Sequence, residues 1–149
     1  MKDQKKGIKY IKKLDKIYAI ILQSDFSTEN ESIEFFTPGE FSQQLGYMKR
    51  SEKYIIKPHL HNRIQREVHF TNEVLFIKSG KVRVDFYDLN QNYFESQILY
   101  KGDVILLAFG GHGFEMLEES EIIEVKQGPY MGEEDKTRFD ASNSIKIKK

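Results

Sequence analysis

The chain contains no cysteine, which excludes disulfides and thiolate metal sites and leaves imidazole and carboxylate as the side chains able to hold a transition metal. Net charge is missing too. Twenty-three basic and 23 acidic side chains cancel, so the global field of a nucleic-acid binder is absent, and no arginine-aromatic interleaving takes its place. The longest apolar runs, "IYAIIL" and "VILLAF", fall far short of the about 20 residues needed to cross a bilayer. The basic opening is followed by neither an apolar signal core nor a small-residue cleavage site. The expectation is a soluble, cytoplasmic protein that partners neither nucleic acid nor membrane.

Helical periodicity is also scarce. From Ile17 onward the sequence reads as short extended segments parted by turn chemistry, which predicts an all-β domain. A chain of 149 residues is one domain's worth and buries roughly two thirds of its unfolded surface. "EVLFIKSGKVRVDFYD" is the strongest signal, two β runs meeting at Ser79 and Gly80 in a predicted hairpin. Within it Val82, Val84 and Phe86 alternate with Lys81, Arg83 and Asp85, which predicts one buried face and one wet face. Eight or more strands at close spacing fit a small barrel or a double-sheet jelly roll. The expected divisions are a basic N-terminal arm over residues 1–16, the β domain over 17–130 and a charged tail over 131–149. The arm carries seven lysines against two aspartates and reads as a solvated terminus, an amphipathic helix or an arm that pairs with another subunit. "KQGPYMGEEDKTRF", which follows the last strand, is expected to cover one end of the barrel.

Histidine is sparse as well, four in all. Two of them form "HLH", His59 and His61, behind Pro58. On a strand, residues i and i+2 share a face, and two imidazoles so placed give a bite suited to a metal ion. Glu73 heads the apolar run "EVLFIKSG". If it points inward it must be paired, protonated or bound to a cation. His112 stands among Gly110, Gly111 and Gly113, which lets the backbone turn tightly and bring the imidazole close to another group. His69, Arg66, Lys57, Gln44 and Tyr47 are candidate contacts for a substrate. A guanidinium such as Arg66 grips carboxylate or phosphate with two parallel bonds, although an ion pair with Glu67 is the plainer use for it.

"HLH", then Glu73 with Gly80 in the spacing E(x)6G, then "GDVILLAFGGH" with Gly102, Gly110 and His112, resemble in order and chemistry the two motifs of the cupin superfamily. The likeness spans about residues 42–128. It departs from the family pattern in three places: eleven residues separate His61 from Glu73 where the family has three or four, His112 arrives one position early with Ala108 in the place of proline, and Met116 stands where the family has asparagine. The resemblance implies a cupin-type double-stranded β-helix, a jelly-roll barrel, in which His59, His61, Glu73 and His112 hold a divalent transition metal. Iron, manganese, nickel, zinc and copper all suit that donor set. A rival alignment of "EVHFTNE" puts Glu67 and His69 beside Glu73 and His112. The "HLH" set is preferred because two imidazoles on one strand face are the better-attested bite.

Fold alone does not give activity. The resemblance implies a small polar substrate, a sugar or a hydroxy or keto acid, and small cupins of this style are similar to proteins of surface-polysaccharide and nucleotide-sugar pathways. Three functions follow from it: a metal-dependent enzyme such as an isomerase, epimerase or oxygenase; a metal-free nucleotide-sugar isomerase or epimerase with a histidine base; and a binding module without turnover. A homodimer is expected, since sheet edges of this kind are commonly covered by a second copy.

Overall fold

The structure, a computed structural model, describes residues 5–141. The all-β expectation holds: ten strands form three antiparallel sheets, with no α-helix among the described residues and a single 3₁₀ turn at Gly132–Asp135. The sheets do not close into a barrel. No helix of the described residues is long and apolar enough to cross a membrane.

The strands are β1 (Ile8–Lys13), β2 (Lys16–Leu22), β3 (Ser32–Phe35), β4 (Gly46–Lys49), β5 (Glu73–Ser79), β6 (Lys81–Tyr87), β7 (Tyr93–Tyr100), β8 (Val104–Leu107), β9 (Gly111–Met116) and β10 (Glu121–Lys126). The largest sheet runs β1-β2-β8-β5-β10, a second runs β7-β6-β9, and β3 and β4 form a hairpin of their own. The basic opening segment therefore supplies β1, whose Ile8 and Ile11 are buried while its lysines lie toward water or at the edge.

Alternation explains how the sheets stack. On β5, Leu75 and Ile77 are buried and the intervening Phe76 is exposed. Leu75, Ile77, Ala19, Ile21, Ile105 and Leu107 from the large sheet meet Val82, Val84, Phe86 and Leu99 from the three-stranded sheet in one core. Each Val, Leu, Ile or Phe among them, fully buried, stabilises by roughly 1.5–3 kcal/mol. Ile20 points the other way and packs with Ile8 and Phe36 under the β3–β4 hairpin. That is why "YAII" is buried without a break: β2 is covered on both faces.

Two local expectations change. Ser79 and Gly80 do not form a hairpin; β5 and β6 lie in different sheets, and the chain turns a corner between them. Gly80 has φ +83°, and a Cβ there would stand 2.2 Å from Ser120 Oγ, so the corner is pressed against the β9–β10 connection. Asp85 is buried rather than wet. It forms two parallel bonds with the Arg83 guanidinium at 2.8 and 2.9 Å and accepts from Ser96 Oγ at 2.5 Å, so the outer face of β6 is covered by an ion pair instead of solvent.

Candidate active-site cleft

Three strand ends build the site. Glu73, the first residue of β5, pairs with Leu107 at the end of β8 and with Lys126 at the end of β10. Just after Leu107 the chain leaves the large sheet through Ala108, Phe109 and Gly110 and enters β9, where His112 pairs with Phe86 of β6. Gly110, at φ +72°, makes that turn possible: a Cβ would meet Tyr18 Cε1 at 2.3 Å and the Tyr87 carbonyl oxygen at 2.7 Å. The crossing swings His112 over Glu73, and His112 Nε2 lies 3.1 Å from Glu73 Oε2.

Both side chains are largely withdrawn from solvent. The hydrogen bond from His112 holds the Glu73 carboxyl below its usual range; partial burial opposes that shift, and the charges of His112, Lys126 and Lys136 reinforce it. Because an ionised carboxylate only accepts, Nε2 is the nitrogen that carries the proton toward Glu73. An imidazole held in this way has its ring orientation fixed.

The pair sits in the wall of a cleft of about 720 Å³, among Phe70, Tyr87, Phe109 and the segment 135–139. Phe139 packs edge-on against Tyr87 with ring centroids 5.1 Å apart, and Thr71 Oγ1 donates to Asp135 Oδ1 at 3.1 Å. The segment after the last strand thus covers one flank of the cleft and brings Lys136 and Arg138 to it. Neither residue was singled out from sequence. Each is cationic, but the 62 residues between Glu73 and Lys136 leave no local pattern to join them.

The structure brings Glu73 and His112 together and leaves the other proposed ligands apart from them. His59 and His61 lie in a stretch, residues 51–71, that is exposed throughout and belongs to no sheet. The strand expected around "HLH" is therefore not formed, and the segment is irregular chain. The two rings lie near each other, 5.4 Å between centroids, and His59 Nδ1 is 3.0 Å from the Lys57 carbonyl oxygen. Among the described residues no group of three or more histidine, aspartate or glutamate side chains is gathered for a metal. His69 Nε2 is 3.6 Å from Glu67 Oε2 on the surface, at the edge of a second, smaller hollow beside Phe41 and Asn72.

The expected substrate contacts are equally dispersed. Arg66 and Lys57 belong to the exposed stretch. Gln44 closes the 38–45 loop by donating from Nε2 to the Pro38 and Phe41 carbonyls, both at 2.9 Å. Tyr47 packs against Phe26 in the core under the β3–β4 hairpin. None of the four lines the Glu73–His112 cleft.

The chain matches no protein-family model, no curated protein and no solved structure.

Proposed function

We propose that this is a cupin-type double-stranded β-helix protein whose Glu73–His112 cleft holds a divalent transition metal and acts on a small polar molecule, a sugar or a hydroxy or keto acid. The observation that carries the reading is the placement of the two groups. The glutamate of one motif and the histidine of the other, 39 residues apart, stand 3.1 Å from each other where a two-sheet stack opens into a cleft. One carboxylate and one imidazole fit as half of a harder-ligand site. His59 and His61 are the donors that would complete it. When bound, such an ion supplies Lewis-acid polarisation of a carbonyl or hydroxyl. The chain's own residues do the rest: Lys136 offers positive charge to a carboxylate or phosphate, as does Arg138 beside its ion pair with Glu133, while Phe70, Phe109 and Phe139 give the cleft an apolar lining.

A second reading has its own support. The His112–Glu73 hydrogen bond is also the arrangement of a general base with its orienting carboxylate, which a metal-free isomerase or epimerase of nucleotide sugars requires. The two readings separate on metal content. Elemental mass spectrometry of untagged protein purified without chelator is expected to find near-stoichiometric metal that falls in Glu73→Gln, His112→Asn and His59→Ala/His61→Ala but not in His69→Ala. A wild type that is empty and stays empty after incubation with divalent ions refutes the metal. Thermal stabilisation by nucleotide-diphosphate sugars in that empty protein would favour acid–base chemistry instead.

A further inference from the structure

The stretch 51–71 has the sequence of a strand and no sheet to join. Tyr54, Ile56, Leu60, Ile64, Val68 and Phe70 fall on even positions, and His59, His61 and His69 on odd ones. Such a period-two pattern is stable only when one face is covered and the backbone is paired. In the single chain neither holds. Ile55 and Leu60 are about four-fifths exposed, and among the described residues no hydrogen bond ties residues 55–69 to any strand.

The same molecule has open places of the matching kind. β9 and β10 each pair on one side only, and they are consecutive, so two open edges lie on either side of the connection 117–120. Phe114, Met116, Ile123 and Val125 are exposed along them. Unprotected edges with apolar side chains invite a further strand. The charges correspond as well. The stretch 51–71 carries four basic and two acidic residues, whereas 111–126 carries five acidic and one basic. The stretch is joined to β4 at one end and to β5 at the other, so its middle can stand out by half the contour of about 21 residues, up to about 35 Å, enough to reach a neighbouring molecule.

We infer that residues 51–69 are donated to a second copy of this chain, pairing with its open β9 and β10 edges and bringing His59 and His61 to its Glu73–His112 cleft. β9 holds His112 itself, so a strand laid along that edge lies beside the half-site. The active unit is then an exchanged dimer with two composite sites, each lacking half its donors in the isolated chain. The exchange stands on the unpaired strand and open edges; only the composite metal site rests on the function proposed above.

The test co-expresses two differently tagged full-length variants, His59→Ala/His61→Ala and Glu73→Gln/His112→Asn, and purifies the species carrying both tags. Carbodiimide coupling of Lys53 or Lys57 to Glu118, Glu119 or Glu124 is read by mass spectrometry, because each variant's arm and edge peptides differ in mass. Exchange predicts a dimer by light scattering in which altered arms couple to altered edges and unaltered arms to unaltered edges. Altered arms coupled to unaltered edges show the arm folding back on its own chain and overturn the proposal, as does a monomeric wild type. The same heterodimer contains one site with every donor and one with none, so it is expected to bind half the wild-type metal; a heterodimer without metal from a metal-replete wild type overturns the composite site. Exchanged cross-links in a protein that never binds metal would retain the exchange and refute the metal reading alone.

Discussion

Replacing Gly110 by alanine tests the turn that delivers His112. The left-handed φ of +72° costs an alanine about 1 kcal/mol. Its Cβ would also stand 2.3 Å from Tyr18 Cε1 and 2.7 Å from the Tyr87 carbonyl oxygen. Tyr18 cannot step aside easily: it is buried and edge-on to Phe94 and Phe109, at 4.8 and 5.3 Å between centroids. Relieving such overpacking adds about 1–3 kcal/mol. The sum, about 3 kcal/mol, is a large share of the roughly 5–15 kcal/mol that holds a domain together and corresponds to a fall in Tm of about 10 °C for a chain of this size. Gly113, one residue past His112, is the control. It is not left-handed, and a Cβ there meets nothing nearer than Tyr87 Cε2 at 3.8 Å, so Gly113→Ala is expected to be neutral or to stabilise by up to about 1 kcal/mol through the unfolded chain. Urea unfolding of both variants beside the wild type measures the difference. Equal stability of the two variants would refute the tight β8–β9 crossing, and with it the placement of His112 over Glu73.

Other expectations follow from particular contacts. Asp85→Ala leaves the partly buried Arg83 with the exposed Glu115 as its one anionic partner among the described residues, so we expect a loss of about 3 kcal/mol and a coupling of at least about 1 kcal/mol in the double-mutant cycle with Arg83→Ala; additive losses would contradict the pair. Asp88 accepts from Lys13 and from the backbone of Asn90 and Asn92, which lowers its carboxyl to about 2. A depressed folded-state value means that its contribution is present above the unfolded value near 3.9 and lost as pH falls toward about 2. Asp88→Asn should therefore flatten the acid limb of the urea midpoint against pH, and an unchanged limb would show that the contacts do not form. Phe139→Ala removes the ring that packs on Tyr87; a loss of about 1 kcal/mol and faster hydrogen exchange over residues 135–141 are expected, whereas unchanged exchange would mean that the segment is not held by this contact.

What the sequence made legible was mainly local. Alternation in "KVRVDFYD" identified β6 and its inward Val82, Val84 and Phe86. It misassigned Asp85, because polarity alone does not reveal that Arg83, two residues away on the same face, will cover it. Turn chemistry at Ser79 and Gly80 marked a change of direction but not which sheet the next strand would enter; that is decided by the non-local pairing of β5 with β8 and β10. Of the site, Glu73 and His112 were legible as an acidic residue opening an apolar strand and an imidazole among glycines. Lys136 and Arg138 were not, since only the folded C-terminal segment brings them near. A strand is expected around "HLH", and in the single chain that segment joins no sheet.

X-ray absorption at the metal edge of the protein as purified tests the central claim most directly, because it counts the imidazoles around the ion. The account predicts three imidazole nitrogens and one carboxylate, falling to two imidazoles in His112→Asn. A shell of oxygen alone, an imidazole count that His112→Asn does not change, or protein that carries no metal to measure would contradict it.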